Sequence, residues 1–142
     1  MSKIAVVYWS GTGNTEAMAN AINIGAKEAG ADVTLFEVTQ ITSDQAAGYE
    51  KLILGCSSMG AEVLEEIDFE PFFTDLEGKI SGKKIALFGS YGWGDGEWMR
   101  DWQGRVERSG ANLFEEGLII NDMPDAAGLE SCEAFAKRFV AY

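Results

Sequence analysis

The chain has 142 residues, which suits one domain of ordinary size and is too short for two. With 46% hydrophobic and 11% aromatic residues it can form a packed core, so the composition argues against intrinsic disorder. The 11 Lys and Arg residues against 23 Asp and Glu residues give a net charge of −12. This charge disfavours binding to nucleic acid or to an anionic membrane and favours basic partners.

The sequence contains no histidine, which excludes Ser-His-Asp and Cys-His catalysis as well as His-ligated metal sites. Its two cysteines, Cys56 and Cys132, match no redox or metal spacing, so we expect both to be reduced and buried. The apolar run at 4–9 is too short for a signal peptide or a membrane span. We therefore expect a soluble, cytoplasmic and monomeric protein.

Apolar runs and helical periodicity alternate along the chain, as expected of strands and helices in turn. Residues 4–9 form a continuous apolar run that predicts a strand covered on both faces. Trp98 and Trp102 recur at helical spacing and are expected in the core. The predicted strands are 4–9, 33–38, 52–56, 84–89 and a fifth within 112–121, and the predicted helices are 14–29, 42–47, 69–78, 97–109 and one around 129–140.

This alternation predicts a doubly wound α/β fold, with a five-stranded parallel sheet in the order 2-1-3-4-5 and helices on both faces. No linker or repeat interrupts the pattern, so residues 1–142 are expected to form a single domain. Ligands of such sheets bind at the carboxyl ends of the strands, beside the point where the strand order reverses. The loops after the first, third and fourth strands are therefore the candidate site.

The first of these loops combines glycines with neutral hydrogen-bond donors. Glycines allow tight turns and a close approach of backbone N–H groups, and the start of the following helix favours an anion. No Lys or Arg occurs between Lys3 and Lys27, and neither a GxxxxGK[ST] nor a GxGxxG motif is present. The loop is therefore interpreted as a phosphate-binding loop, with an ordinary polar helix cap as the alternative. Its residues are Ser10, Gly11, Thr12, Gly13, Asn14 and Thr15.

The second loop, after the third strand, carries Ser57, Ser58, Met59, Gly60 and Glu62. Ser57 can reach a phosphate on the first loop, and Met59 can lie against an aromatic plane. Gly60 allows a peptide flip at little steric cost, and Glu62 can accept an N–H from a ligand. The alternative is a loop with a hydrophobic plug and a solvated Glu62.

The third loop, after the fourth strand, contains alternating glycines around a tryptophan. Large aromatic side chains on such loops are costly unless they cover something, so Trp93 is expected to cover a planar heterocycle. The alternative is that Trp93 folds back onto its own domain. The candidate binding residues of this loop are Ser90, Tyr91, Gly92, Trp93 and Gly94.

Together these loops resemble those of the short-chain, clostridial-type bacterial flavodoxins, and the resemblance extends from end to end of the chain. It rests on residues 8–16, 53–57, 59–60, 62–66 and 83–101. The family binds FMN non-covalently and carries single electrons at low potential, through a neutral semiquinone and an anionic hydroquinone. The resemblance thus implies a flavodoxin-like fold, an FMN cofactor, an electron carrier rather than an enzyme, and ferredoxin-type donors and acceptors as partners.

The resemblance also implies how the first two loops meet FMN. The main-chain carbonyl of Gly60 would accept the proton on flavin N5, Glu62 would accept from flavin N3, and Met59 would cover the inner flavin face. Side chains of both loops would hold the phosphate: Ser10, Thr12, Asn14, Thr15 and Ser57.

The remaining implied contacts come from the third loop and from a later segment. Trp93 would stack on the outer flavin face, and N–H groups around Gly92 and Gly94 would meet the pyrimidine oxygens. Ser90 and Asp122 are expected near the chain that joins the phosphate to the ring. Gly60, Met59, Trp93 and Glu62 would tune the redox potentials.

Two features bear on function beyond the binding residues. Ala61 follows the Met-Gly pair where some relatives have an acidic residue, and Ala tolerates a positive φ less well, so the flip at Gly60 would be balanced differently. Residues 62–77 hold seven acids and no Lys or Arg, which indicates either a solvated face or a docking surface for basic redox partners.

Three other functions are compatible with the fold. A flavodoxin-like NAD(P)H-dependent quinone or flavin reductase usually needs added segments, which this chain lacks. A flavodoxin-like activator of a metalloenzyme stays open. A phosphate-binding signalling domain would carry an acidic pocket at the end of the first strand, where Tyr8, Trp9 and Ser10 lie instead.

Overall fold

A parallel sheet with helices on both faces organises the chain in the computed structural model, which describes residues 2–142. The strands follow the order β2-β1-β3-β4-β5, and β6 also pairs with β4, which confirms the predicted doubly wound arrangement. In chain order the elements are β1 Lys3–Trp9, α1 Asn14–Glu28, β2 Asp32–Glu37, α2 Ser43–Ala47, β3 Lys51–Cys56, α3 Phe69–Glu77, β4 Lys84–Tyr91, α4 Glu97–Arg108, β5 Asn112–Leu113, β6 Leu118–Asn121 and α5 Ala126–Ala141.

The strand order reverses at β1, which pairs with β2 on one side and with β3 on the other. At their carboxyl ends Trp9 of β1 lies beside Cys56 of β3, so the loops that follow these strands begin next to each other. A ligand at this edge lies between the two halves of the sheet. The topology therefore brings the predicted loops together.

The predicted fifth strand is two short strands. Asn112–Leu113 pairs with the beginning of β4 and Leu118–Asn121 with its end. Between them Glu115 adopts a φ of +50°, and Phe114 packs against Phe135 and Phe139 of α5. Gly117 passes the Met99 thioether so closely that a Cβ would lie 2.2 Å from the sulfur. The N–H of Phe114 still donates to the Ile85 carbonyl of β4 at 2.8 Å. The prediction of one continuous strand was wrong because residues 115–117 then leave the sheet.

The fourth strand also extends further than predicted. Because Ile120 and Asn121 of β6 pair with Ser90 and Tyr91, these two residues lie on β4 rather than in the loop after it. The loop proper therefore begins at Gly92.

Each face of the sheet has its own core. Alternate residues of a buried strand point to opposite faces, so Val6 packs with α1 and α5, whereas Val7 packs with α3 and α4. Trp98 and Trp102 lie in the second core, as predicted. Cys56 and Cys132 are buried and unpaired with each other, as predicted, and burial raises the pKa of the Cys56 thiol well above its usual value. Across residues 2–142, no helix has the length and apolar character needed to cross a membrane.

Candidate functional site

A cavity of about 310 Å³ opens at the carboxyl ends of β1, β3, β4 and β6. This volume falls in the range of small-molecule sites. The predicted residues that line it come from the first and second loops, from the end of β4 and the loop after it, and from the segment after β6: Gly11, Thr12, Asn14, Ser57, Ser58, Met59, Ser90, Tyr91, Gly92, Trp93 and Asp122. Trp9, which the sequence indicated only as a strand residue, also lines it. Other predicted site residues lie beside the cavity rather than in its wall: Ser10, Gly13, Thr15, Gly60, Glu62 and Gly94.

The first loop is held in shape by its own serine. Ser10 Oγ accepts hydrogen bonds from the N–H groups of Gly13 and Glu16, each at 3.2 Å. Gly13 adopts a φ of +97° and leads directly into α1, whose first residue, Asn14, lines the cavity. The N-terminus of α1 and its positive dipole end are therefore at the cavity. The Ser10 hydroxyl still has a hydrogen to donate, since a hydroxyl accepts and donates independently.

A network of hydroxyls joins the loops beneath the cavity. Thr15, which is fully buried, has its Oγ1 2.7 Å from Ser57 Oγ and accepts the N–H of Ser90 at 3.2 Å. Ser90 in turn donates from its hydroxyl to the Asp122 carbonyl at 2.7 Å. Thr15 and Ser90 thus position Ser57 and the end of β4, a role that sequence reasoning missed because the partners are far apart in the chain.

The second loop is a tight hairpin. Met59 and Val63 exchange two backbone hydrogen bonds of 2.9 Å, and the turn between them is formed by Gly60, Ala61 and Glu62. Gly60 has a φ of +51° and Glu62 a φ of +55°, whereas Ala61 does not adopt a positive φ. The two residues with a positive φ therefore lie on either side of Ala61. The backbone strain that we expected at Ala61 falls on Glu62 instead.

Glu62 connects the hairpin to the third loop. Its Oε1 accepts the N–H groups of Gly96 at 3.3 Å and Glu97 at 3.0 Å, which are the first backbone donors of α4. Gly94 passes beside this carboxylate, and a Cβ there would lie 2.3 Å from Glu62 Cδ. Within residues 2–142 the second oxygen, Oε2, forms no hydrogen bond, so it is free to accept from a ligand. The prediction that Glu62 meets flavin N3 stays a prediction.

Trp93 projects from the third loop with 55% of its surface exposed, and it lines the cavity. The Trp93 side chain does not fold back onto its own domain, so the alternative interpretation of this residue is wrong. The loop is fastened by Arg100, which donates to the Asp95 carbonyl at 3.0 Å and to its carboxylate at 2.9 Å. Because the Trp93 indole is exposed, lines the cavity and sits on a loop held by these contacts, it can cover a planar ligand.

Trp9 is the cavity residue that the sequence did not predict. Its indole lies so close to the first loop that a Cβ on Gly11 would be 2.9 Å from the ring. Gly11 is therefore needed to seat Trp9 as well as to shape the loop. The available signal was the position of Trp9 at the carboxyl end of β1, next to the first loop.

The acidic segment 62–77 is not simply a solvated face. The buried carboxylate of Glu65 accepts three N–H groups at the start of α3, from Ile67, Asp68 and Phe69, at 2.7, 2.8 and 2.9 Å.

Arg105 of α4 binds Glu70 and Glu77 of α3, each with a closest contact of 2.8 Å. The hydrogen bond from Arg105 holds the pKa of Glu70 below its usual value. Asp75 is exposed but forms an ion pair with Lys79 at 3.3 Å. Only part of the segment is therefore a free acidic surface: Glu66 and Asp68.

The fold and the cavity define a doubly wound protein that can bind an anionic ligand with a planar part. Helix dipole and hydroxyls, rather than Lys or Arg, are available for the anion, and Trp93 and Met59 for the plane. Comparisons with known proteins agree with this class. Residues 6–135 match the family model described as Flavodoxin.

Two similar proteins are flavodoxins from Clostridium beijerinckii and Megasphaera elsdenii. Each is 52% identical; the first match covers 94% of this chain and 96% of the relative, the second 87% and 90%. The solution structure of two-electron reduced M. elsdenii flavodoxin superposes with a TM-score of 0.85 at 48% identity, covering 95% of this chain and 98% of that one. The chain belongs to the flavodoxin family, whose members are FMN-binding electron carriers rather than enzymes.

Proposed function

We propose that residues 1–142 form one FMN-binding unit that carries single electrons at low potential between redox enzymes in the cytoplasm, as a monomer. The observation that carries this proposal is a single cavity whose lining combines an uncharged anion cradle with an exposed indole. Bound FMN supplies the redox chemistry by accepting and releasing one electron at a time. The residues around it bind it, orient it and adjust how readily it does so.

One wall of the cavity fits the phosphate of FMN. We call residues 10–15, Ser57 and Ser90 the phosphate side. Its donors are backbone N–H groups, the start of α1 and the hydroxyls or amide of Ser10, Thr12 and Asn14, together with one hydroxyl of the Thr15–Ser57 pair, because the hydrogen bond between these two uses the hydrogen of the other. Such donors hold a dianion through helix dipole and hydrogen bonds without any cation.

Another part of the cavity fits the isoalloxazine ring. We call residues 59–66 and 92–97 the ring side. Trp93 and Met59 can cover the two faces of the ring, while Tyr91 forms part of the adjoining wall. N–H groups around Gly92 and Gly94 and the free Oε2 of Glu62 suit the polar edge of the pyrimidine.

Gly60 adjusts the redox behaviour in this proposal. It forms the first corner of the hairpin, with a φ of +51°, and only the Val63 side chain lies within 4 Å of where its Cβ would be. Gly60 itself therefore presents no steric barrier to turning its carbonyl towards flavin N5. Held there, the carbonyl accepts a hydrogen bond when N5 carries a proton.

The surface beside the ring side suits basic redox partners, such as ferredoxin-type donors and acceptors. Glu66 and Asp68 are exposed there, and between them Ile67 is 82% exposed. With a net charge of −12, this face attracts a basic patch electrostatically, and its apolar residue can then pack against the partner.

The test is a comparison of FMN with riboflavin, which lacks the phosphate. We expect the apoprotein to bind FMN and to bind riboflavin at least about tenfold more weakly, because several N–H donors meet the charged group. Quenching of flavin fluorescence measures both affinities. Equal affinities would show that residues 10–15 do not hold a phosphate, and no binding of either flavin would overturn the function.

The relatives favour an electron carrier over the reductase and the metalloenzyme activator. Steady oxidation of NADH or NADPH by the isolated holoprotein would contradict the carrier function. We expect none above the rate with free FMN.

A further inference from the structure

The hydroxyl of Ser58 has no hydrogen-bond partner among residues 2–142. Ser58 is 4% exposed, and its N–H donates to the Ser90 carbonyl at 3.1 Å. Its Oγ is hidden from water and forms no hydrogen bond within residues 2–142. A buried hydroxyl without a partner destabilises the protein, and native structures leave few such groups.

The position of Ser58 distinguishes it from the other orphaned polar atoms. Asn23 Oδ1 and Trp102 Nε1 are also buried without partners, but neither residue lines the cavity. Ser58 does line it. A serine side chain rotates among staggered positions, so its hydroxyl can turn from its hidden position towards a molecule in the cavity.

The neighbours of Ser58 in the chain indicate which part of FMN it faces. Ser57, on one side, contacts Thr15 in the first turn of α1, where the phosphate is expected. Met59, on the other side, begins the hairpin that adjoins the ring. Between the phosphate and the ring, FMN has only the ribityl chain, which carries several alcohol groups. Ser58 therefore lies opposite that chain.

We propose that Ser58 recognises the ribityl chain: its hydroxyl, unpartnered in the free protein, forms a hydrogen bond with a ribityl alcohol of bound FMN. This inference rests on the proposed function. It makes Ser58 a specificity residue for a flavin with a polyhydroxy chain. It also explains why a buried hydroxyl is kept at a position where the free protein gains nothing from it.

The experiment combines one substitution with two ligands. The ligands are FMN and its phosphopentyl analogue, which keeps the ring and the phosphate but has no alcohols on the linking chain. We expect Ser58→Ala to weaken FMN binding between about twofold and about tenfold, the worth of one hydrogen bond, and to leave the analogue unchanged. The free protein should unfold at an equal or higher urea concentration after the substitution, because an orphaned hydroxyl is removed.

Ser131→Ala is the matched control, since Ser131 is exposed on α5 and donates to the Ala127 carbonyl at 3.1 Å. It should change neither affinity. If Ser58→Ala weakened the binding of FMN and of the analogue equally, the hydroxyl would contact the ring or the phosphate. If it did not weaken FMN binding, the hydroxyl would make no contact with the ligand. Either result overturns the inference. If the parent binds neither flavin, the proposed function fails instead, so the two failures are distinct.

Discussion

The two sides of the cavity are held together by different chemistry. On the phosphate side uncharged hydroxyls make the contacts that hold the loops: Ser10 binds two N–H groups near its own loop, and Thr15 connects Ser57 to the end of β4. On the ring side carboxylates make them: Glu62 binds the start of α4 and Glu65 the start of α3. Neutral hydroxyls thus hold the phosphate side in place, whereas carboxylates hold the ring side in place.

This difference follows from what each wall has to accommodate. A fixed carboxylate beside a phosphate dianion would repel it, so hydroxyls suit the cross-links of the phosphate side and carboxylates do not. The ring is neutral in its oxidised form, so carboxylates are acceptable near it once backbone N–H groups at helix starts stabilise them. A chain with a net charge of −12 can therefore bind an anion because hydroxyls, rather than carboxylates, hold the residues of the phosphate side together.

The largest expected effect tests the carboxylate contacts of the ring side. Glu65→Ala should lower the free energy of unfolding by about 3 kcal/mol, because three N–H groups at the start of α3 lose a buried charged acceptor. Glu65→Gln should lose less, since it keeps the oxygen that binds Asp68 and Phe69. Urea unfolding of the apoprotein measures both. Glu66→Ala, at the exposed neighbour, is the control; a similar loss there would contradict the role of Glu65.

The next largest effect tests the hydroxyl contacts of the phosphate side. Thr15→Val keeps the shape of the buried side chain but removes the acceptor of the Ser90 N–H and the partner of Ser57. We expect the free energy of unfolding to fall by about 2–3 kcal/mol. Thr34→Val, the same change at an exposed position of β2, should stay within about 0.5 kcal/mol. Equal stability of Thr15→Val and the parent would show that the hydroxyl network does not hold this wall.

Trp93 tests the ring side through the ligand rather than through folding. Trp93→Ala should weaken FMN binding by about 1–3 kcal/mol, because the aromatic cover is lost. Stability of the apoprotein should hardly change, since the indole is 55% exposed. Fluorescence titration with FMN is the measurement, and Ile67→Ala, which removes another exposed apolar side chain, is the control. An unchanged affinity in Trp93→Ala would mean that something else covers the flavin.

Much of the fold follows from local sequence. The apolar run of β1 and the helical spacing of Trp98 and Trp102 predict buried elements because burial imposes those periods. The break between β5 and β6 was not predictable in this way. It depends on Phe114 meeting Phe135 and Phe139, which belong to another element far along the chain.

Local sequence likewise predicts some residues of the site and not others. Gly13, Trp93 and the other loop residues could be located because each lies directly after a strand, at the edge where ligands bind. The helix contact of Glu62 could not be predicted, since nothing local to the hairpin indicates that its carboxylate reaches Glu97. Side-chain contacts between loops depend on distances that only the folded sheet sets.

The smallest expected effect is a pH dependence of the contact between α3 and α4, the two helices that follow the ring-side loops. The hydrogen bond from Arg105 holds the pKa of Glu70 below its usual value in the folded protein. A group whose pKa is lower when folded stabilises the protein above its unfolded pKa, and that stability is lost as the pH falls through the folded pKa. Acid should therefore weaken the contact between α3 and α4, which begin at the two ring-side loops.

Urea unfolding in steps from neutral pH into the acid range measures this effect. Because the Glu70 side chain is 34% exposed, solvent screening limits its share to less than about 1 kcal/mol. Glu70→Gln should be less stable than the parent at neutral pH, and the difference should shrink as the pH falls. Thr15→Val should keep the parent's acid dependence, because hydroxyls do not titrate in this range. A steeper or flatter acid dependence in Thr15→Val would show that the two walls are coupled through ionisation, which their separate chemistry argues against.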